Sequence, residues 1–313
     1  MDLFVSDTQW NLLLSAIFGN TRSARRLVFN ASPHTSRDFD EGLWSALLKN
    51  MNFEIVTCRS VPEYLANVKR ISRQISDAEQ VYTYPSQSIL TTHLIANCGA
   101  KLIEEGMSAY FFDKKAIGIS KKLVTKVLGM ALFGRRNKRN LQLDPRRVDF
   151  AFFPDRTGLR DRVPTRLEVN RDVWGQIKET ASASLQGPKG RILFLDTVVR
   201  RLNRLDLSKV LSGLDLGSVV VKPHPLTHKQ NWHRPSPELG ALPAIPPSFP
   251  GELYAEQFEE IYTFPSTSAY TMRVLYPDKP IQVVASHSQS SDLYLPAETQ
   301  AFFESLNIEV IRF

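Results

Sequence analysis

With only two cysteines in 313 residues, the chain has little from which to build a disulfide framework. Cys58 and Cys98 lie inside the apolar runs EIVTC and LIANC, where free thiols pack as small hydrophobes. That usage predicts a reducing, cytoplasmic setting. Long hydrophobic runs are also missing: no stretch approaches the roughly 20 apolar residues of a membrane span. The opening MDLFVSDTQW reads as a strand entering a turn, without the basic and apolar regions of a secretory leader. The common nucleotide and catalytic signatures are absent too. Neither GxGxxG nor the GxxxxGK phosphate loop occurs, and neither does paired Cys/His zinc spacing or a GxSxG nucleophile elbow. No D-x-D pair stands at a strand end, Asp206 and Asp215 being isolated, so a transfer reaction without a metal or other cofactor is expected.

What is present begins with charge. The net charge is +7, and much of the excess is local: Lys114, Lys115, Lys121, Lys122, Lys126, Arg135, Arg136, Lys138 and Arg139. Apolar residues interleave (LVTKVLGMALF), as on an amphipathic helix with a basic face. Such a face is a solvated surface or a site attracted to an anionic membrane or glycan, and nucleic acid is not the expected partner. A non-catalytic polyanion-binding protein is the reading this segment supports by itself.

At this length two domains are expected. Short β-rich runs alternate with helical patterns. In the first half the strands are LFVS (3–6), RLVFN (26–30), FEIVTC (53–58), QVYTY (80–84), AKLIEE (100–105) and VDFAFF (148–153). In the second they are RILFLD (191–196), SVVVKP (218–223), EIYTF (260–264), PIQVVA (280–285) and IEVIRF (308–313). Near-continuous apolar strands separated by helices predict parallel sheets covered on both faces. The expected fold is therefore α/β, with a Rossmann-like domain at 1–160, a polar linker carrying a helix at 161–188 and a second Rossmann-like domain at 189–313, facing each other across a cleft. An internal echo, VYTYPSQS at 81–88 and IYTFPSTS at 261–268, marks the same kind of strand-to-helix corner in each half. Ligands of open α/β sheets bind beyond the carboxyl ends of the strands.

Three corners carry chemistry. Glu104 and Glu105 end a strand, so they point to opposite sides of the pleat; one can face a ligand while the other makes a structural bond. A carboxylate in such a place serves as a general base if its surroundings raise its pKa. In Lys222-Pro223-His224-Pro225 the prolines hold the chain extended around an imidazole able to meet a leaving phosphate, with a lysine adding positive charge. Ser266-Thr267-Ser268 precede a helical run, where hydroxyls cap the helix or bind anions. Glu252, in AIPPSFPGELY, is placed to hold a ribose or to complement a helix dipole.

The acidic pair with its glycine (LIEEGMSAYF), the later His-Pro pair (KPHP) and the Ser/Thr corner (EEIYTFPSTSAYTM) together resemble the bacterial sialyltransferases of GT-B type. Glycosyltransferase family 52, the lipooligosaccharide sialyltransferases, and the related polysialyltransferases are nearest. The resemblance covers roughly 80–305 and rests on motifs of a few residues each. It implies a CMP-sialic acid donor, a glycan or glycolipid acceptor and an inverting reaction without a metal. In that frame Glu105 is the base, with Glu104 beside it, and His224 is the acid toward departing CMP. Ser266, Thr267 and Ser268 bind the phosphate, Lys222 and Pro225 line the nucleotide pocket, and Glu252 holds the ribose. Asp196, after the first strand of the second domain, is the rival base. Transfer of another CMP-activated acid sugar such as Kdo is the alternative activity, and the basic 114–139 segment would suit work at an inner membrane face.

Overall fold

The structure is a computed structural model describing residues 1–30, 39–56, 60–85, 89–111, 148–156, 163–199, 207–224 and 238–313. It divides into two compact units, Met1–Ile177 and Lys178–Phe313. Each is built on a five-stranded sheet in which every pairing is parallel. The chain is thus α/β with two Rossmann-like units, as its alternating apolar strands and helices predict.

In the first unit the strands are β1 (Asp2–Ser6), β2 (Arg25–Asn30), β3 (Asn52–Val56), β4 (Val81–Thr83) and β5 (Lys101–Leu102), in the order β3-β2-β1-β4-β5. The order reverses between β1 and β4, the place where open α/β sheets leave a crevice at their carboxyl edge. Helix α1 (Gln9–Ile17) starts directly beyond β1 because Thr8 caps it, its hydroxyl accepting the Asn11 N–H at 3.1 Å. Phe4 and Tyr82 stack across the two central strands with ring centroids 4.6 Å apart, and Phe18 closes on both rings. A separate short pair, β6 (Phe150–Ala151) and β7 (Thr165–Arg166), belongs to this unit, so the polar stretch after 155 begins by pairing back onto it. The helix Arg171–Ser184 then carries the chain across the division.

The second sheet contains β8 (Ile192–Leu195), β9 (Val219–Lys222), β10 (Glu260–Thr263), β11 (Ile281–Ala285) and β12 (Glu309–Arg312), ordered β12-β11-β10-β8-β9. Its reversal lies between β8 and β10. Both β8 and β9 are buried along their whole length, which accounts for their unbroken apolar sequences. Burying each such valine or leucine contributes about 1.5–3 kcal/mol. The turn into β8 needs Gly190, since a Cβ there would lie 2.5 Å from the Ser218 carbonyl oxygen. Among the described residues no helix is long and apolar enough to cross a membrane.

Candidate functional site

In the second unit three corners leave the sheet in one row. Leu195 pairs with both Lys222 and Thr263, so β9, β8 and β10 end side by side. Beyond this row come His224, Asp196 and the Ser266–Ser268 corner. Lys222 is almost fully buried, and its ammonium donates to the carbonyls of Pro223 (3.0 Å) and Pro247 (3.2 Å). The second bond exists because the proline-rich segment runs beside β9, with Val221 N–H on the Pro243 carbonyl and Ile245 N–H on the Val221 carbonyl. Burial lowers Lys222 to about 8, against the opposing pull of Glu252 and Asp196. His224 is half-buried; burial first, then the charge of Lys222, push its imidazole down to about 4. The imidazole is therefore neutral at physiological pH in the free protein. Asp196 is buried, its Oδ1 accepting the Thr197 N–H at 2.8 Å and its carboxylate close enough to Lys222 to raise it.

Ser266 stands at the N-cap of the helix Thr267–Leu275 without capping it through its side chain; its hydroxyl lies 3.2 Å from that of Thr263. The Ser266 hydroxyl thus stays off the N–H groups of the first turn, where the Ser266 carbonyl accepts the Ala269 N–H at 3.2 Å. Ser268 turns its hydroxyl to Glu252. Glu252, from the turn Gly251–Leu253, also accepts the Thr271 hydroxyl at 2.7 Å and is only 3% exposed. Its carboxyl lies above the usual range because burial outweighs these donors. The carboxylate anchors the helix from beneath, and its acceptor capacity goes to protein hydroxyls. Pro225 and the basic 114–139 segment lie outside the described residues.

In the first unit the adjacent glutamates take different partners. Glu104 is buried and accepts the Tyr110 hydroxyl and the Phe152 N–H (2.8 Å), tying the segment after β5 to that around β6. Glu105 faces Asp7 from the loop after β1 and the Asn11 amide from α1. Burial and the Asp7 charge raise its carboxyl to about 7, and Asn11 moderates the rise. Neither Asp7 nor Asn11 belongs to the three corners named above; both lie in SDTQWN, which follows the first strand of a Rossmann-like unit, where ligand loops belong. Among the described residues no three His, Cys, Asp or Glu side chains gather as they would around a metal ion.

No family model matches the chain, and no curated protein sequence matches it. Among solved structures, the E. coli heptosyltransferase WaaC with ADP-2-deoxy-2-fluoro heptose aligns over 100% of this chain and 93% of its own, at 11% identity and a TM-score of 0.42. A sialyltransferase from Photobacterium damsela aligns over 99% of this chain and 81% of its own, at 12% identity and a TM-score of 0.41. These likenesses bear on the fold alone.

Proposed function

We propose that the chain is a glycosyltransferase that moves sialic acid from CMP-sialic acid to a glycan hydroxyl, with inversion and without a metal. The observation that carries this reading is the row of corners on the second sheet, where His224 beside Lys222, and the N-terminal turn of the helix Thr267–Leu275, uncapped by the Ser266 hydroxyl, flank the strand-order reversal. Helix N–H groups and neighbouring donors of this kind suit an anionic phosphate. In the proposed step the bond between the sugar's anomeric carbon and the CMP phosphate oxygen breaks, its electron pair staying with CMP. The acceptor oxygen bonds to that carbon and its proton passes to Glu105. A carboxyl held near 7 suits a base at neutral pH, whereas Asp196 beside the Lys222 ammonium is the weaker candidate. His224 meets the departing phosphate, Ser266 binds it, and Glu252 holds the helix that Ser266 opens.

Calorimetric titration of CMP with EDTA present tests the reading. Micromolar-range binding is expected, weakened at least tenfold in Ser266→Ala and in His224→Ala, as for loss of a hydrogen bond to a charged group. Ser268→Ala should act more mildly, through Glu252. Well-folded protein with no CMP affinity would overturn the proposal. Competition with other CMP sugars separates sialic acid from Kdo as the donor.

A further inference from the structure

We infer that Asn11 is a positioning residue whose amide, donating to Asp7 and Glu105 together, fixes the two carboxylates relative to each other at the carboxyl edge of the first sheet. The inference rests on Glu105 being the base of the proposed transfer. Asn11 itself is firmly set. It is fully buried, its backbone N–H is held by Thr8, and its carbonyl accepts the Ser15 hydroxyl at 2.8 Å. From that fixed point its Nδ2 lies 3.4 Å from Asp7 Oδ1, and the same amide reaches Glu105 as a donor. A primary amide has two N–H bonds, one for each carboxylate.

The other end of the amide supports the assignment. Asn11 Oδ1 is buried and among the described residues has no hydrogen-bond partner. Leaving a buried acceptor unpaired is unfavourable. Turning the amide over would not relieve the strain, since it would aim a carbonyl dipole at two carboxylates. The orientation is dictated by the acidic pair, at the expense of the other end. Among the described residues Tyr84, beyond β4, also faces Glu105; its hydroxyl is 2.7 Å from that of Ser15 and Arg25, at the start of β2, favours its ionisation weakly. Tyr84 stays neutral, its pKa driven far upward by burial. Among these groups the negative charge comes from Asp7 and Glu105, and the Asp7 charge acts on the ionisation of Glu105.

The pairing serves the chemistry directly. Asp7 keeps Glu105 basic enough to take a hydroxyl proton, and Asn11 prevents like-charge repulsion from swinging the base away. The test is a carboxyl-carbon NMR titration of the full chain labelled at Asp and Glu, with Glu105→Gln assigning the signal. Glu105 should titrate near 7; Asp7→Asn should lower its midpoint by about one unit and Asn11→Leu should raise it by a similar amount. The alkaline plateau of kcat/KM should shift in the same directions. If both variants keep their circular dichroism and the Glu105 midpoint does not move, the pair does not exist. Asp7 is half-buried in a loop, so its variant remains informative even if Asn11→Leu fails to fold. If the midpoints move as stated but Glu105→Gln transfers sugar like the wild type, the base assignment is wrong and the positioning role falls with it.

Discussion

His224 enters the proposed step in the wrong ionisation state, and that mismatch makes it measurable. Burial and the Lys222 charge hold it down to about 4, so the free protein carries a neutral imidazole at pH 6. A phosphate bound against it would supply the opposite charge and pull the value upward. A group whose pKa rises on binding takes up protons at any pH between its free and bound values. CMP binding at pH 6 should therefore take up a fraction of a proton, read from the dependence of the calorimetric enthalpy on the ionisation heat of the buffer. His224→Ala should remove most of that uptake. Equal slopes in the two proteins would mean that the phosphate does not lie against this ring. The KPHP frame made the position of His224 legible in the sequence. Its neutral state was not, because it comes first from burial of the ring and then from Lys222, held on the carbonyl of Pro247, and no local pattern announces either.

The helix Thr267–Leu275 shows how a carboxylate read from its own segment acquires its role from another. Glu252 looks, from AIPPSFPGELY, like a first-turn acidic residue open to a ligand. Parallel pairing of the Ala244 strip beside β9 carries it underneath the helix, where Thr271 and Ser268 donate to it. Thr271→Val keeps the shape and deletes one donor, so it should destabilise the protein by about 1–3 kcal/mol. The pH dependence follows from the raised Glu252 carboxyl. The folded state binds its proton more tightly than the unfolded chain does, so stability falls as pH rises through the folded pKa and is unaffected below the unfolded one. Losing a donor that favours the charged form raises the value further, and the deficit of Thr271→Val should grow from pH 5 to pH 9. Urea melts at the two pH values check this. A deficit independent of pH would separate Thr271 from the carboxylate. Elements were otherwise readable where apolar pattern was strong, as in β8 and β9. Strand β7 shows the converse, since Thr165–Arg166 is two exposed polar residues with no periodicity to detect.

The two units share a construction but differ in strand order, β3-β2-β1-β4-β5 against β12-β11-β10-β8-β9. Alternation of apolar strands with helices foretold two parallel sheets; it could not foretell the orders, which depend on the edge to which each crossover returns. Those orders decide where ligands bind, because each reversal brings a different set of corners together. The first sheet gathers Asp7, Asn11 and Glu105 at its carboxyl edge, an acidic group unsuited to a phosphate. The second places Lys222, His224 and a helix N-terminus without a side-chain cap there. A nucleotide should consequently restrain one unit selectively. In hydrogen exchange, segments closed by a ligand gain protection equal to its binding free energy, about 2.7 kcal/mol at a hundredfold excess over Kd. CMP should slow exchange about a hundredfold at 195–197, 222–224 and 264–270. Residues 6–11 and 103–106 should change little until an acceptor is added. Protection centred on the first unit would reverse the assignment of donor and acceptor sites, and uniform slowing throughout the chain would show that the nucleotide acts on global stability without engaging the corners of the second sheet.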